Sequence, residues 1–145
     1  MILIVGVRVI IQQYMLGDNL ILTTMETIKS FTDLQQSKKL AEILPIESAD
    51  MYYDRGVLPS LIDKYVTHES IKNDKYHHLI PCWSLAALLS VLPLPSLIQD
   101  KADDELFWQC SAYDEDGTLL CETYDNNAIG ACYEMIIKLH EKGLL

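Results

Sequence analysis

The chain has 145 residues, half of them hydrophobic and 22% charged, with 21 acids against 11 bases and a net charge of −10. That length suits one domain able to bury about 68–70% of its unfolded surface, and the composition excludes a disordered or fibrous chain. The acidic balance excludes general binding to a nucleic-acid backbone and to anionic membranes, both of which need clustered Lys and Arg.

Met1–Ile11 is almost continuous Ile, Leu and Val but carries Arg8. It is too short for a membrane helix, which needs about 20 apolar residues, and it lacks the layout of a secretory signal. Two readings of residues 1–24 stand. They form an apolar extension folded as a hairpin (Ile2–Met15 and Leu20–Thr23, turning at Gly17-Asp18-Asn19), or translation begins at Met25 and they are a misassigned start. Met25 stands just ahead of a capped helix, which favours the second. Residues 25–145 then make a single α+β domain.

Thr32-Asp33-Leu34-Gln35 fits a capping box, with the Thr hydroxyl and the Gln amide satisfying backbone N–H groups at a helix start. Leu34, Leu40, Ala41, Ile43 and Leu44 give that helix its apolar face, and Pro45 ends it. Ser48–Tyr53 alternates as a short strand. Arg55 to Leu79 reads as a long loop with room for a short helix. Pro81–Leu92 is a second helix, with Leu85, Leu88, Leu89 and Leu92 at i, i+3, i+4 and i+7. Either Ser84 caps it or Pro81 occupies its first turn. It has almost no polar face, which places it centrally in the core.

Glu105–Tyr113 and Thr118–Tyr124 form a hairpin turning at Asp114-Glu115-Asp116-Gly117. A four-residue loop pairs Tyr113 with Thr118, Ala112 with Leu119 and Cys110 with Cys121. Leu106, Trp108, Cys110, Ala112, Leu119 and Cys121 then form a core face, and Gln109, Ser111, Tyr113, Thr118 and Glu122 a wet one. Asp125 or Asn126 caps a last helix, Asn127–Lys142, which buries Ile129, Cys132, Tyr133 and Ile136 and stops at Gly143. The order α-β-loop-α-β-β-α is an α+β fold. It consists of a small antiparallel sheet, the 105–124 hairpin plus the strand near 48–53, packed by three helices.

Ile80-Pro81-Cys82-Trp83-Ser84-Leu85-Ala86-Ala87-Leu88-Leu89 with Leu92-Pro93, together with Ala49-Asp50-Met51-Tyr52, Asp125-Asn126 through Ala131, and Met135-Ile136, resembles a family of small uncharacterised proteins of gut Bacteroidales phages and related mobile elements. The resemblance covers about residues 25–145. It implies a bacterial cytoplasmic protein, an accessory phage product, and brings no known activity, cofactor or catalytic residue.

The residues themselves call for no cofactor and no metal. Cys82, Cys110, Cys121 and Cys132 contain no C-x-x-C pair. A thiol cluster of Cys110, Cys121 and Cys132 is conceivable, but small apolar core side chains are the simpler reading. His68, His77, His78 and Cys82 lack zinc-ligand spacing. Ser84 has no G-x-S-x-G turn, and the glycines are scattered singly. Asp114-Glu115-Asp116-Gly117 lacks the 12-residue spacing of a calcium loop.

Two sets of contact candidates remain. Positions 100–125 hold nine acids opposed by Lys101 alone, which is eight of the ten net negative charges. From these, Asp103, Asp104, Asp114, Glu115, Asp116 and Glu122 are candidates for contact with a basic protein partner. Tyr52, His77, His78 and Trp83 are candidates for contact with a small ligand, Trp83 being read as half-exposed. The first set predicts a non-enzymatic protein-interaction module that uses an acidic hairpin. The second predicts a small-ligand or nucleotide-sequestering protein with its site around the 55–83 loop. An enzyme built on Cys82 and a histidine is the weakest of the three readings.

Overall fold

A computed structural model describes residues 30–56 and 58–145, so both readings of residues 1–24, and Met25, lie outside the described residues. The described chain is α+β, with four helices and two three-stranded antiparallel sheets. The first sheet comprises β1 (Met51–Asp54), β2 (Ser60–Leu61) and β3 (Leu79–Cys82), in the order β2-β1-β3. The second comprises β4 (Ser96–Ala102), β5 (Glu105–Tyr113) and β6 (Leu119–Asp125), in the order β4-β5-β6. The helices are α1 (Leu34–Ala41), α2 (His68–Lys72), α3 (Leu85–Val91) and α4 (Ala128–Glu141). The short strand after α1 therefore does not join the 105–124 hairpin, and a second sheet replaces the single one expected.

The capping box of α1 sits one residue further on than expected. Asp33 accepts from the Gln36 amide N–H at 2.8 Å, and the Gln36 side chain accepts from the Asp33 N–H at 3.0 Å. Thr32 is held elsewhere: its N–H bonds the Trp83 carbonyl at 2.9 Å, in an extended stretch where Phe31 bridges Ser84. Ser48 belongs to a 3₁₀ turn, Ile46–Ser48, so β1 starts three residues later than the alternation implied. The long 55–79 segment holds β2 and α2, the latter capped by Thr67.

Pro81 lies in β3 opposite Tyr52 rather than in a helix. Because β3 is an edge strand, the missing N–H of Pro81 is tolerated. Ser84 caps α3 as one of the two expected alternatives, its Oγ accepting from the Ala87 N–H at 3.2 Å. Asp50 on β1's approach holds that cap, accepting from the Ser84 N–H at 2.9 Å and from its hydroxyl.

The hairpin exists, but its register and turn differ. Asp103-Asp104, with φ of 49° and 66°, closes β4 onto β5 as a two-residue turn of the type whose twist matches that of the flanking strands. At the other end Asp114 pairs with Thr118 (N to O 2.9 Å), Gly117 takes φ 80°, and Tyr113 faces Leu119. Leu120 is then the extra residue of a bulge, because Ala112 faces Cys121 and Cys110 faces Thr123. Leu119 and Leu106 are exposed instead of core, and Thr123 is buried, donating to the Ala131 carbonyl at 2.6 Å.

Asn127, one position beyond the expected caps, starts α4 by accepting from the Gly130 N–H at 2.7 Å. An added Cβ at Gly130 would come within 2.4 Å of Asp125 Cγ, so any larger residue there would have to displace the Asp125 side chain. Ile129, Cys132, Met135, Ile136 and Leu139 bury one stripe of α4, while Tyr133 is half-buried. The helix lies on the even-numbered face of β5, where Cys132 Sγ sits 4.0 Å from Cys110 Sγ. Leu40, Trp83, Leu88, Leu97, Ala112 and Cys121 complete one apolar cluster, to which the β4-β5-β6 sheet contributes strand residues and the first sheet only its neighbours Ala49, Ile62 and Trp83.

Candidate protein-binding face

Of the ligand candidates around 55–83, Trp83 is out of reach of a ligand. Trp83 is fully buried, its Nε1–H donating to Ser48 Oγ at 2.9 Å, which overturns its reading as a half-exposed contact. Tyr52 is half-buried on β1, and His77 is exposed with φ 55°. His78 lies between two carboxylates, 3.3 Å from Asp74 Oδ1 and 3.8 Å from Asp54 Oδ1. Those carboxylates would repel a nucleotide phosphate. The nearest free cations in sequence are also depleted, since Lys72 pairs with Glu47.

Cys82 does not meet either histidine. Its sulfur lies 3.5 Å from Thr32 Oγ1 and 3.5 Å from the Thr32 carbonyl, and burial pushes its thiol pKa up, against thiolate formation. The Tyr53 hydroxyl closes the same pocket by donating to the Thr32 carbonyl at 2.8 Å. Burial, with the Cys82 thiol beside it, pushes Tyr53 up to about 12.

A tyrosine raised in the folded state stabilises the fold while it is neutral. That contribution is fully present below about pH 10 and is lost as pH rises through about 12. In an absorbance titration of the folded chain near 295 nm, one phenol is therefore expected to ionise last, with unfolding. Tyr53→Phe should remove that step; an unchanged titration curve would contradict the burial of this hydroxyl.

Five of the six acidic candidates fall into two groups rather than one, and Glu122 lies apart from both on β6. Asp103 and Asp104 lie at the β4–β5 turn, and Asp114, Glu115 and Asp116 at the β5–β6 turn. The nine residues of β5 separate the groups by about 31 Å at 3.4 Å per residue. Asp114 is occupied as a turn acceptor, from the N–H groups of Asp116 at 2.9 Å and Thr118 at 2.8 Å. Asp104 pairs with Lys101 at 3.2 Å, both exposed.

Between the two turns lies a face that α4 does not cover. Since Cys110, Ala112, Cys121 and Thr123 point to the helix, the alternate residues point away from it. Strand register sets them in cross-strand rows: Asp100 beside Phe107; Ile98, Gln109 and Tyr124; Ser96, Ser111 and Glu122. Ile98 is 52% exposed and Tyr124 56% exposed. The Phe107 and Tyr124 rings meet on a diagonal, with centroids 6.0 Å apart.

Glu122 sits among donors on this face. Its Oε1 accepts from Gln109 Nε2 at 3.0 Å and from the Ser111 hydroxyl at 3.5 Å, and its Oε2 accepts from the Tyr124 hydroxyl at 3.2 Å. The Glu122 charge pushes the Tyr124 phenol up, which keeps it a donor. Sequence reasoning reached Gln109, Ser111 and Glu122 on this side but missed Ile98, Phe107 and Tyr124. The alternation in Leu97-Ile98-Gln99-Asp100 was the available signal for the first of these.

Searches against family models, curated proteins and solved structures find no match to the chain. Among the described residues no helix is long and apolar enough to cross a membrane, and no three His, Cys, Asp or Glu side chains are grouped to hold a metal.

Proposed function

We propose that the chain is a non-enzymatic protein-interaction module that binds a basic partner through the face of the β4-β5-β6 sheet opposite α4. The observation that carries this reading is the pair of exposed side chains Ile98 and Tyr124, with half-buried Phe107 against the Tyr124 ring, beside a held carboxylate, Glu122, with Asp100, Asp103 and Asp104 at one end. Aromatic and apolar anchors within a charged surround are the usual make-up of a protein interface, and the acids select for a cationic partner and speed its encounter. The contact surface thus moves from the hairpin tip to the flat of the sheet. In the setting that the resemblance to phage proteins implies, the partner is a basic host or phage protein in the bacterial cytoplasm. Sequestration of a small ligand in the 55–83 region has no comparable support, because Trp83 is buried and His78 lies between the Asp74 and Asp54 carboxylates.

Ile98 and Tyr124 are exposed, so Ile98→Asp with Tyr124→Ser should leave stability within about 0.5 kcal/mol of the parent. The immobilised full chain should retain a basic protein from host lysate at low salt and release it at high salt. The double variant should retain none of it, while Lys138→Ala on the exposed side of α4 should behave as the parent. The same partner held equally by the double variant would overturn the proposal.

A further inference from the structure

We infer that Glu122, with Gln109, Ser111, Phe107 and Tyr124, is a receptor for a single arginine side chain of the partner, an assignment that rests on the interaction reading above. A carboxylate offers about four lone-pair positions. Gln109 and Tyr124 take one on each oxygen, at 3.0 and 3.2 Å, and Ser111 at 3.5 Å is a long contact. One acceptor position is therefore open on Oε2, and the second position on Oε1 is held only by the long contact from the buried Ser111 hydroxyl, which a stronger donor would displace. That is the pattern a guanidinium fork fills with two parallel N–H donors, and an ammonium cannot fill both at once.

The surroundings favour the same group. Among the described residues Glu122 forms no ion pair, and the donors that hold it are neutral. The Tyr124 ring is more than half exposed and is buttressed by Phe107, which presents an aromatic surface next to the carboxylate. A planar, weakly hydrated guanidinium stacks on such a surface while it bonds the carboxylate; a compact, strongly hydrated ammonium gains less from both. The donors that hold Glu122 fix its position before binding, so little side-chain freedom is lost when the cation arrives. The open acids at the turns, Asp103 and Asp116 among them, lack this aromatic floor and distinguish poorly between Arg and Lys.

The test uses the full chain, ¹⁵N-labelled, titrated with capped pentapeptides of sequence Gly-Val-Xaa-Val-Gly in which Xaa is Arg, Lys or citrulline. The Arg peptide is expected to shift the amide resonances of Gln109, Ser111, Glu122 and Tyr124, to bind at least ten-fold more tightly than the Lys peptide, and to lose all binding when citrulline replaces Arg. Glu122→Gln should weaken the Arg peptide at least ten-fold. Tyr124→Leu should weaken it several-fold and narrow the gap between Arg and Lys. Equal binding of the Arg and Lys peptides, shifts centred on Asp103, Asp104, Glu115 and Asp116, or no binding by any of the peptides would overturn the assignment. Partner capture separates the two proposals. If Ile98→Asp with Tyr124→Ser abolishes capture and Glu122→Gln does not, the interaction module stands and the arginine site falls. If neither affects capture, both fall.

Discussion

Trp83→Ala is expected to lower the unfolding free energy by about 3–5 kcal/mol, the range for removing a large aromatic side chain from a packed core. Trp83 is fully buried in the cluster that joins α1, α3, α4 and the β4-β5-β6 sheet, and its indole N–H is satisfied by Ser48. A single domain has only about 5–15 kcal/mol in hand, so the variant should be near the edge of folding. Urea denaturation followed by circular dichroism measures this. Trp83→Phe should fall between the variant and the parent, since one six-membered ring is kept while the second ring and its bond to Ser48 are lost. A change within about 0.5 kcal/mol for Trp83→Ala would instead restore the surface role that its place beside a long loop implied.

The second large effect belongs to Thr32. It is fully buried, and its Oγ1 lies 2.7 Å from Ser37 Oγ, accepts from the Trp83 backbone N–H at 3.2 Å and lies 3.5 Å from Cys82 Sγ. Thr32→Val keeps the shape and removes the acceptor, leaving the Trp83 N–H and the Ser37 hydroxyl short of a partner in a dry site. An unsatisfied buried donor costs about 1–3 kcal/mol, and the loss is expected toward the upper part of that range because two groups share the hydroxyl. Thr32→Ser keeps the bonds and drops one methyl, about 0.8 kcal/mol. Serine should therefore be better tolerated than valine. The reverse order would mean that packing of the methyl, not the hydrogen-bond junction, holds this position.

Where the sequence carried a local signal, the fold was legible. The apolar stripe of α4, the Ser84 cap of α3, the Gly117 turn and the α+β class all rest on patterns within a few residues. Where the deciding contact is distant, it was not. Thr32 and Asp33 fit a capping box equally well as a sequence, and only the pairing of Thr32 with Trp83, 51 positions away, selects Asp33. The run from Ile80 to Leu92 is apolar across a strand, a cap and a helix, so no change of period marks the boundary at Ser84. β4 buries only Leu97 toward the core and carries Asp100 and Lys101, as an edge strand does, and this hid it.

The candidate face was half legible for the same reason. Alternation along β5 and β6 placed Gln109, Ser111 and Glu122 together, but two errors followed from register. The bulge at Leu120 moved Leu119 out of the core face, and the unseen β4 withheld Ile98 and Asp100 from the surface they share with Phe107. Counting charge along the chain also merged two turns that β5 holds at opposite ends. An acidic run in sequence became an acidic patch only by ignoring the strand between.

The most direct test of the interaction reading is mapping by a photo-activated cross-linking residue, placed in turn at Tyr124 and at Lys138 of the full chain and irradiated in host lysate. The Tyr124 position should yield a covalent adduct with a basic protein, suppressed at high salt and competed by excess parent chain, and the Lys138 position on the far side of α4 should yield none. Equal adducts from both positions, or an adduct from Lys138 alone, would contradict binding through the β4-β5-β6 face.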